Sequence, residues 1–376
     1  MSGGEVTWMR AFNPGETKLN LLLLSLPITL YFAYVSDDET IAFFASMVAI
    51  MPLAFLMGRA TEEIALRTSE ATGGLLNATF GNAAELIIVF FAIVTAYQAG
   101  PGTTTESTMV HIVQASLIGS ILGNLLLVMG LAFVWGGIHH KEQSFSKAQV
   151  SSNGSLLLLA VLTLAVPTVF QATVGGEEGA SGVERLSHAT AIILLAMYAL
   201  FLIFQLKTHA DMFATDGSHH EEPEMSMRDA AILLVIATVL VSWMAEILVH
   251  SLETAAEDVG LPYLFIGIIL LPLFGNAAEH FTAVTVAAKD KMDLSFAISV
   301  GSSTQIAVFV APLMVVLAWA LGVPLTFEFG TLETVATFLA VLIVNAIAAD
   351  GKSNWLEGAM LLGAYAVLAL AFLFHP

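Results

Sequence analysis

The feature that most constrains this chain is its series of long apolar runs, because lipid tolerates only helices or closed barrels across its core. Eleven runs occur in the 376 residues, each near the roughly 20 residues that a helix needs to span a bilayer. Their approximate limits are 19–36, 41–66, 73–98, 108–136, 148–170, 187–207, 229–252, 262–287, 293–320, 331–349 and 354–374. Charged residues make up only 11% of the chain, against about 25% in a soluble domain. The sequence therefore predicts an all-α integral membrane protein that is not an enzyme and uses no cofactor.

The basic residues predict an orientation for these spans. If the spans alternate in direction, eleven of the twelve Lys and Arg residues lie on one side, and only Arg185 lies on the other. The positive-inside rule then puts the N-terminus in the cytoplasm and the C-terminus outside. The first run lacks a signal-peptidase-like end, so we expect a retained span rather than a cleaved signal. The net charge of −19 argues against nucleic-acid binding and fits a protein that handles cations in a lipid bilayer.

The hexapeptide FGNAAE occurs twice, at Phe80–Glu85 and at Phe274–Glu279. An acidic cytoplasmic linker separates the two copies and leaves five spans on each side after a leading span. Because five is odd, the second set enters the membrane from the opposite face, which is typical of an inverted repeat. The predicted divisions are 1–37 (N-terminus and leading span), 38–207 (repeat A), 208–227 (linker) and 228–376 (repeat B).

Each copy of the motif puts a glutamate inside an apolar run, where a carboxylate costs about 2.5–3.5 kcal/mol. A small-residue packing face explains the glycine and alanines of the motif but not its glutamate. Glycine weakens the helix just before the acid, and the asparagine shares a helix face with the glutamate three residues later. The candidate residues are Gly81, Asn82 and Glu85 in one copy and Gly275, Asn276 and Glu279 in the other.

Two carboxylates with amide oxygens form a hard-oxygen site that suits Ca²⁺. Without a metal ion, burial and mutual repulsion both favour the protonated carboxyl groups, so protons would be taken up as a coupled pair. One site can then hold either Ca²⁺ or protons, as an antiporter requires. Ser120, Ser302 and Gln305 could line this site, or could simply bond neighbouring helices.

Three further glutamates lie toward the ends of spans. As candidates for a gate or a proton relay we consider Glu62, Glu63 and Glu246, although such residues are often merely interfacial. The chain has no cysteine, which excludes disulfides and thiolate metal sites.

Four stretches resemble the Ca²⁺/H⁺ exchangers of the calcium/cation antiporter superfamily: GNAAEL (81–86), GNAAEH (275–280), GSILGN (119–124) and SSTQIAVFVAP (302–312). The resemblance covers nearly the whole chain and implies an inverted-repeat helical fold with alternating access. It also implies that Glu85 and Glu279 bind Ca²⁺ and accept protons, and that Asn82 and Asn276 support them. Sodium-coupled relatives carry more Ser, Thr, Pro and Asp around the equivalent acids, so the Ala-Ala pair here favours protons as the counter-ion.

We therefore expect an antiporter that exports cytoplasmic Ca²⁺ in exchange for protons. A Na⁺/Ca²⁺ exchanger is the nearest alternative, and a cation channel with an acidic constriction is a more distant one. An intramembrane protease ranks last, because the sequence contains no H-E-x-x-H motif.

Overall fold

The computed structural model describes residues 7–68, 73, 76, 79–209 and 223–375, and nearly all of them are helical. In lipid the backbone must satisfy its own hydrogen bonds, so apolar segments of this length fold as helices. The helices are α1 (Trp8–Ala11), α2 (Lys18–Ser36), α3 (Glu39–Ala65), α4 (Ala83–Ala99), α5 (Thr104–His139), α6 (Lys147–Val174), α7 (Gly176–Thr208), α8 (Met227–His250), α9 (Leu252–Val259), α10 (Tyr263–Gly275), α11 (Ala277–Ala288), α12 (Met292–Leu321), α13 (Thr331–Ala348) and α14 (Trp355–Leu373).

Within the described residues, nine helices are long and apolar enough to cross a membrane. The pair α9–α10, bent by 119°, would form a tenth span if it is counted as one. Helix α4 is apolar but shorter, and the residues before it are described only in part. The predicted all-α membrane fold is confirmed, whereas the count of eleven spans and the repeat boundaries stay predictions. Most of the predicted linker (208–227) lies outside the described residues.

Helix α7 begins well before the apolar run that was predicted to start at residue 187. It starts at Gly176, directly after Gly175, whose φ of 67° lies in the left-handed region that glycine tolerates. Glu177 and Glu178 then occupy its first turn, where the helix dipole favours negative charge. Apolar composition marks where lipid begins, and the helix extends beyond it.

Helix α5 lies at the centre of the bundle. In the most apolar 18-residue stretch of α5, 83% of the stretch is buried inside the bundle. The share is 22% for the corresponding stretches of α7 and α14, so these two helices face outward. Gly119 allows this central position, because a Cβ atom there would collide with the backbone of Ile268 in α10. Large apolar side chains such as Leu159, Leu200 and Val367 remain exposed on the outer helices, as expected for a surface in lipid.

Five π-helical turns interrupt the regular helices in the described chain. One in α5 (Gly123–Val128) and one in α12 (Ile306–Val310) each follow soon after a Gly-Ser pair. The others are Phe32–Ser36 in α2, Phe204–Thr208 in α7 and Ile266–Leu270 in α10. Such turns are frequent at functional sites because they redirect side chains inside a helix.

A short ladder joins two of the loops between helices. Strand β1 (Gln143–Ser144) pairs antiparallel with β2 (Lys352–Ser353), with Gln143 opposite Ser353. The Gln143 side chain also donates to the Ala287 carbonyl oxygen at 2.9 Å, at the end of α11. These contacts fix three loops to one another at the same end of the bundle.

Candidate cation site

Each FGNAAE motif breaks its helix at the asparagine. Asn82 (φ −97°, ψ 17°) precedes α4, and Asn276 (φ −101°, ψ 12°) separates α10 from α11. The break falls one residue after the glycine that the sequence predicted to weaken the helix. Glu85 and Glu279 consequently lie in the first turn of a new helix, where negative charge is favoured.

The Asn-x-x-Glu spacing of both motifs is typical of a capping box, in which the two residues cap their own helix. Neither asparagine side chain caps its helix here. The Asn82 and Asn276 amides instead reach across to other helices, which leaves them available to build a site.

The two asparagines form a crossed set of hydrogen bonds. Ser302 Oγ donates to Asn82 Oδ1 at 2.9 Å, and Asn82 Nδ2 donates to Gln305 Oε1 at 2.7 Å. On the other side, Asn276 Nδ2 donates to Ser120 Oγ at 3.2 Å. Each motif asparagine thus bonds to the serine of the Gly-Ser pair that follows the other motif, and this crossing joins α4 to α12 and α11 to α5.

The carboxylates lie beside this crossed network. Glu85 is only 3% exposed, and both of its oxygens are buried with no hydrogen-bond partner among the described residues. Glu279 is more accessible, but its Oε2 is likewise buried and unpartnered. The two carboxylates are close enough to repel each other, and Ser120 and Ser302 lie next to Glu85 and Glu279 respectively. Buried oxygens of this kind need a cation or protons to satisfy them.

The two serines differ in how their hydroxyl groups are used. Ser302 donates to Asn82 and accepts from Asn124 Nδ2 at 3.1 Å. Ser120 accepts from Asn276, so its own hydrogen is free to point toward Glu85. The network is therefore more extensive around Asn82 than around Asn276.

Asn124 is a site residue that sequence reasoning did not select. It is 1% exposed and lies in the π-helical turn of α5. The signal was its spacing of four residues from Ser120, which places both side chains on one helix face. The corresponding position after the second Gly-Ser pair is Ile306, so the two-fold pattern gave no support for it.

The donor set is one of hard oxygens. Among the described residues, no group of three or more His, Asp or Glu side chains could hold a metal ion. Two carboxylates with neutral amide and hydroxyl oxygens therefore remain, and these suit Ca²⁺ rather than Zn²⁺. His280, buried beside Glu279 in the chain, is turned from it by about 100° around the helix axis.

The candidates near the ends of spans lie apart from this network. Glu62 and Glu246 are exposed. Glu63 is buried, but its carboxylate accepts hydrogen bonds from the backbone N–H groups of Glu224 and Met225. The structure thus brings seven predicted residues together in one place: Asn82, Glu85, Ser120, Asn276, Glu279, Ser302 and Gln305. Their role in binding a cation stays a prediction.

Comparison with known proteins gives consistent matches. The family described as "Sodium/calcium exchanger protein" matches residues 39–207 and 230–374. A protein of Aphanothece halophytica named "Ca(2+)/H(+) antiporter" is 45% identical over 370 residues, which is 94% of this chain and 96% of that protein. A Synechocystis protein of the same name is 44% identical over 374 residues, which is 95% of this chain and 97% of that protein.

Solved structures also resemble this chain over most of its length. The structure of native YfkE superimposes with a TM-score of 0.80 at 37% identity and covers 95% of this chain and 100% of that one. A structure of the H⁺/Ca²⁺ exchanger CAX has a TM-score of 0.71 at 17% identity and covers 96% and 93%, which shows a shared fold. The family resemblance predicted from the motifs is confirmed.

Proposed function

Because this chain belongs to the sodium/calcium exchanger protein family, with relatives named as Ca²⁺/H⁺ antiporters, we propose that it exchanges Ca²⁺ for protons across a cell membrane. In this proposal it exports cytoplasmic Ca²⁺ by alternating access. The N-terminus is cytoplasmic and the C-terminus lies outside, as the distribution of basic residues indicates.

One observation carries the proposal: both carboxylate oxygens of Glu85 and Oε2 of Glu279 are buried and have no hydrogen-bond partner in the described part of the chain, although they lie beside a network of hydrogen-bonded amides. Glu85 and Glu279 bind Ca²⁺ in this account and accept protons when Ca²⁺ leaves. Asn82 and Asn276 support the site, and the neutral oxygens come from Ser120, Ser302 and Gln305.

Charge explains why the two ions would be coupled. With both carboxylates ionised the empty site carries two negative charges, which are costly to hold in a low-dielectric interior. Either one Ca²⁺ or two protons neutralises it. A change of access is therefore cheaper for either loaded state than for the empty state, and this difference enforces exchange instead of leak.

The helices around the site suggest which parts move. Helices α3 and α8 pack more extensively against each other than any other helix pair in the described chain. Helix α8 also packs on α4, and α3 packs on α10 and α11, so the pair flanks both glutamate helices. We propose that α3 and α8 slide against α4 and α11 to open the site to either side.

The test is Ca²⁺ uptake into sealed liposomes that contain the purified protein, driven once by a pH gradient and once by a Na⁺ gradient. The proposal predicts uptake with the pH gradient alone. Uptake that requires Na⁺ would make the protein a Na⁺/Ca²⁺ exchanger, and downhill Ca²⁺ flux that needs neither gradient would make it a channel.

A further inference from the structure

Three side chains at the end of α3 and just after it form a stripe that holds the chain just before α8. Arg59 and Glu63 are four residues apart and share one face of α3, and Arg67 lies in the turn that follows the helix. All three bind Glu224 or Met225, about 160 residues further along the chain.

Glu63 is the centre of this stripe. Its Oε1 accepts from the Glu224 N–H at 3.2 Å, and its Oε2 accepts from the Met225 N–H at 3.0 Å. The residue is only 6% exposed, and a buried carboxylate is tolerated where hydrogen bonds satisfy it in this way. Each carboxylate oxygen therefore has its own backbone donor.

The two arginines bind the same segment on either side of Glu63. Arg59 Nη2 forms an ion pair with Glu224 Oε2 at 2.9 Å, and Arg67 Nη2 donates to the Met225 carbonyl oxygen. The Met225 side chain is fully buried in the apolar core. Glu224 and Met225 are thus held through their backbone, the charged Glu224 side chain and the apolar Met225 side chain.

Glu224 and Met225 lie directly before the start of α8. Ser226 is the N-cap of α8 and accepts from the Asp229 N–H at 3.0 Å. Nothing but this cap separates Met225 from the first turn of α8, so the stripe fixes the start of α8 to the end of α3. The two helices are consequently joined at this end by polar contacts, in addition to their apolar packing.

We infer that Glu63 is a positioning residue that makes α3 and α8 move as one body during exchange, an inference that rests on the proposed antiport. In this inference α3 and α8 keep the same register relative to each other throughout the exchange cycle. If the start of α8 were released from α3, each helix could shift separately against α4 and α11, and the change of access would slow. Glu63 acts through α8 and does not contact the transported ions.

A positioning role and a proton-relay role for Glu63 predict different effects of its substitution on the rate and on the pH profile of exchange. A relay would change the dependence of exchange on pH when its carboxyl group is removed. A positioning residue would lower the maximal rate and leave the pH profile and the KM for Ca²⁺ unchanged, because the site at Glu85 and Glu279 is untouched.

The test compares Glu63→Ala and Glu63→Gln with the wild type and with Glu142→Gln in the liposome assay. Glu142 serves as a control, because it is an exposed glutamate paired with Lys352 in the loop between α5 and α6, outside the stripe. We expect Glu63→Ala to lower the maximal exchange rate about tenfold and Glu63→Gln to lower it less, since one acceptor oxygen remains. Glu142→Gln should exchange at the wild-type rate.

A covalent bridge gives a second test, which is possible because the chain contains no native cysteine. In the Glu63→Ala background, Arg59→Cys and Glu224→Cys are joined by a short bifunctional thiol reagent. This bridge should restore the exchange rate, because it replaces the lost hydrogen bonds between α3 and the segment before α8. The inference is overturned if Glu63→Ala keeps the wild-type rate, if its pH profile or KM for Ca²⁺ changes, or if the bridge fails to restore exchange.

Two controls keep these outcomes interpretable. If Glu63→Ala does not fold, the same rate, pH and KM criteria apply to Glu63→Gln. If the wild type and Glu142→Gln show no exchange of Ca²⁺ for protons, the proposed function fails, and that result is distinct from any effect at Glu63.

Discussion

The unequal hydrogen bonding of the two motif asparagines makes a quantitative prediction. Asn82 is 1% exposed and makes two side-chain hydrogen bonds, to Gln305 and from Ser302. Asn276 is 3% exposed and makes one, to Ser120. Truncating either residue to alanine removes the same atoms from an equally buried place, so the packing losses should nearly cancel in a comparison of the two variants.

The difference between the variants then reflects the additional bond. Hydrogen bonds between membrane helices contribute about 0.6 kcal/mol on average and up to about 1.7 kcal/mol. Asn82→Ala also leaves the buried Ser302 hydroxyl without its acceptor and the half-buried Gln305 oxygen without its donor, which puts the cost toward the upper part of this range. We therefore expect Asn82→Ala to lower the free energy of unfolding by about 1–2 kcal/mol more than Asn276→Ala does.

The assay is reversible unfolding in mixed micelles of a mild detergent and SDS, followed by circular dichroism. Asn345→Ala is a control outside the crossed network, because half-buried Asn345 donates to the Gly154 carbonyl oxygen at 3.0 Å. It should destabilise the protein no more than Asn276→Ala does and should transport Ca²⁺ like the wild type. Equal destabilisation by Asn82→Ala and Asn276→Ala, or a larger effect of Asn276→Ala, would contradict this prediction.

Three further predictions follow from the packing and charge of the site. Gly119→Ala should destabilise the protein by roughly 3 kcal/mol or more because its Cβ would meet the Ile268 backbone, whereas Gly123→Ala in the same helix has open space and should be neutral in thermal unfolding. The rings of Phe55 and Phe281 lie 6.5 Å apart across the α3–α11 contact, so a cleavable bridge between Phe55→Cys and Phe281→Cys should stop exchange until it is cleaved. A bridge between Tyr34→Cys and Trp243→Cys, which joins α2 to α8, should not stop exchange. The Kd for Ca²⁺, measured by calorimetry, should fall as pH rises, by up to about a hundredfold per unit if two protons are displaced, because a protonated carboxyl group is not a ligand.

The sequence predicted the fold class well because the signal for a membrane helix is local. Apolar runs, read one at a time, were sufficient to predict the described helices, and the polar, Gly and Pro residues between the runs placed most helix ends to within a few residues. The start of α7 was missed because a charged helical turn outside the lipid has no apolar signature. The π-helical turns in α5 and α12 were also missed, since they depend on how neighbouring helices pack.

The candidate site was predictable mainly where the two motifs repeat each other, and Gln305, selected from its spacing of three residues from Ser302, is the exception. Glu85 and Glu279 were identified because the same costly residue appears twice in apolar surroundings, and Ser120 and Ser302 because both follow glycine. Asn124 has no counterpart in the second half, so no repeat pointed to it. The hydrogen bond from the Met225 N–H to Glu63 could not be predicted from the sequence, because it joins a backbone group to a side chain more than a hundred and fifty residues away.

In the proposed mechanism Ca²⁺ and protons compete for one site made by Glu85 and Glu279. Simultaneous recording of Ca²⁺ uptake and proton efflux in liposomes, for the wild type, Glu85→Gln and Glu279→Gln, tests this competition. The account predicts stoichiometrically linked fluxes in the wild type and the loss of both fluxes in each variant, with the proteins still folded. Normal exchange by either glutamine variant would contradict the shared site.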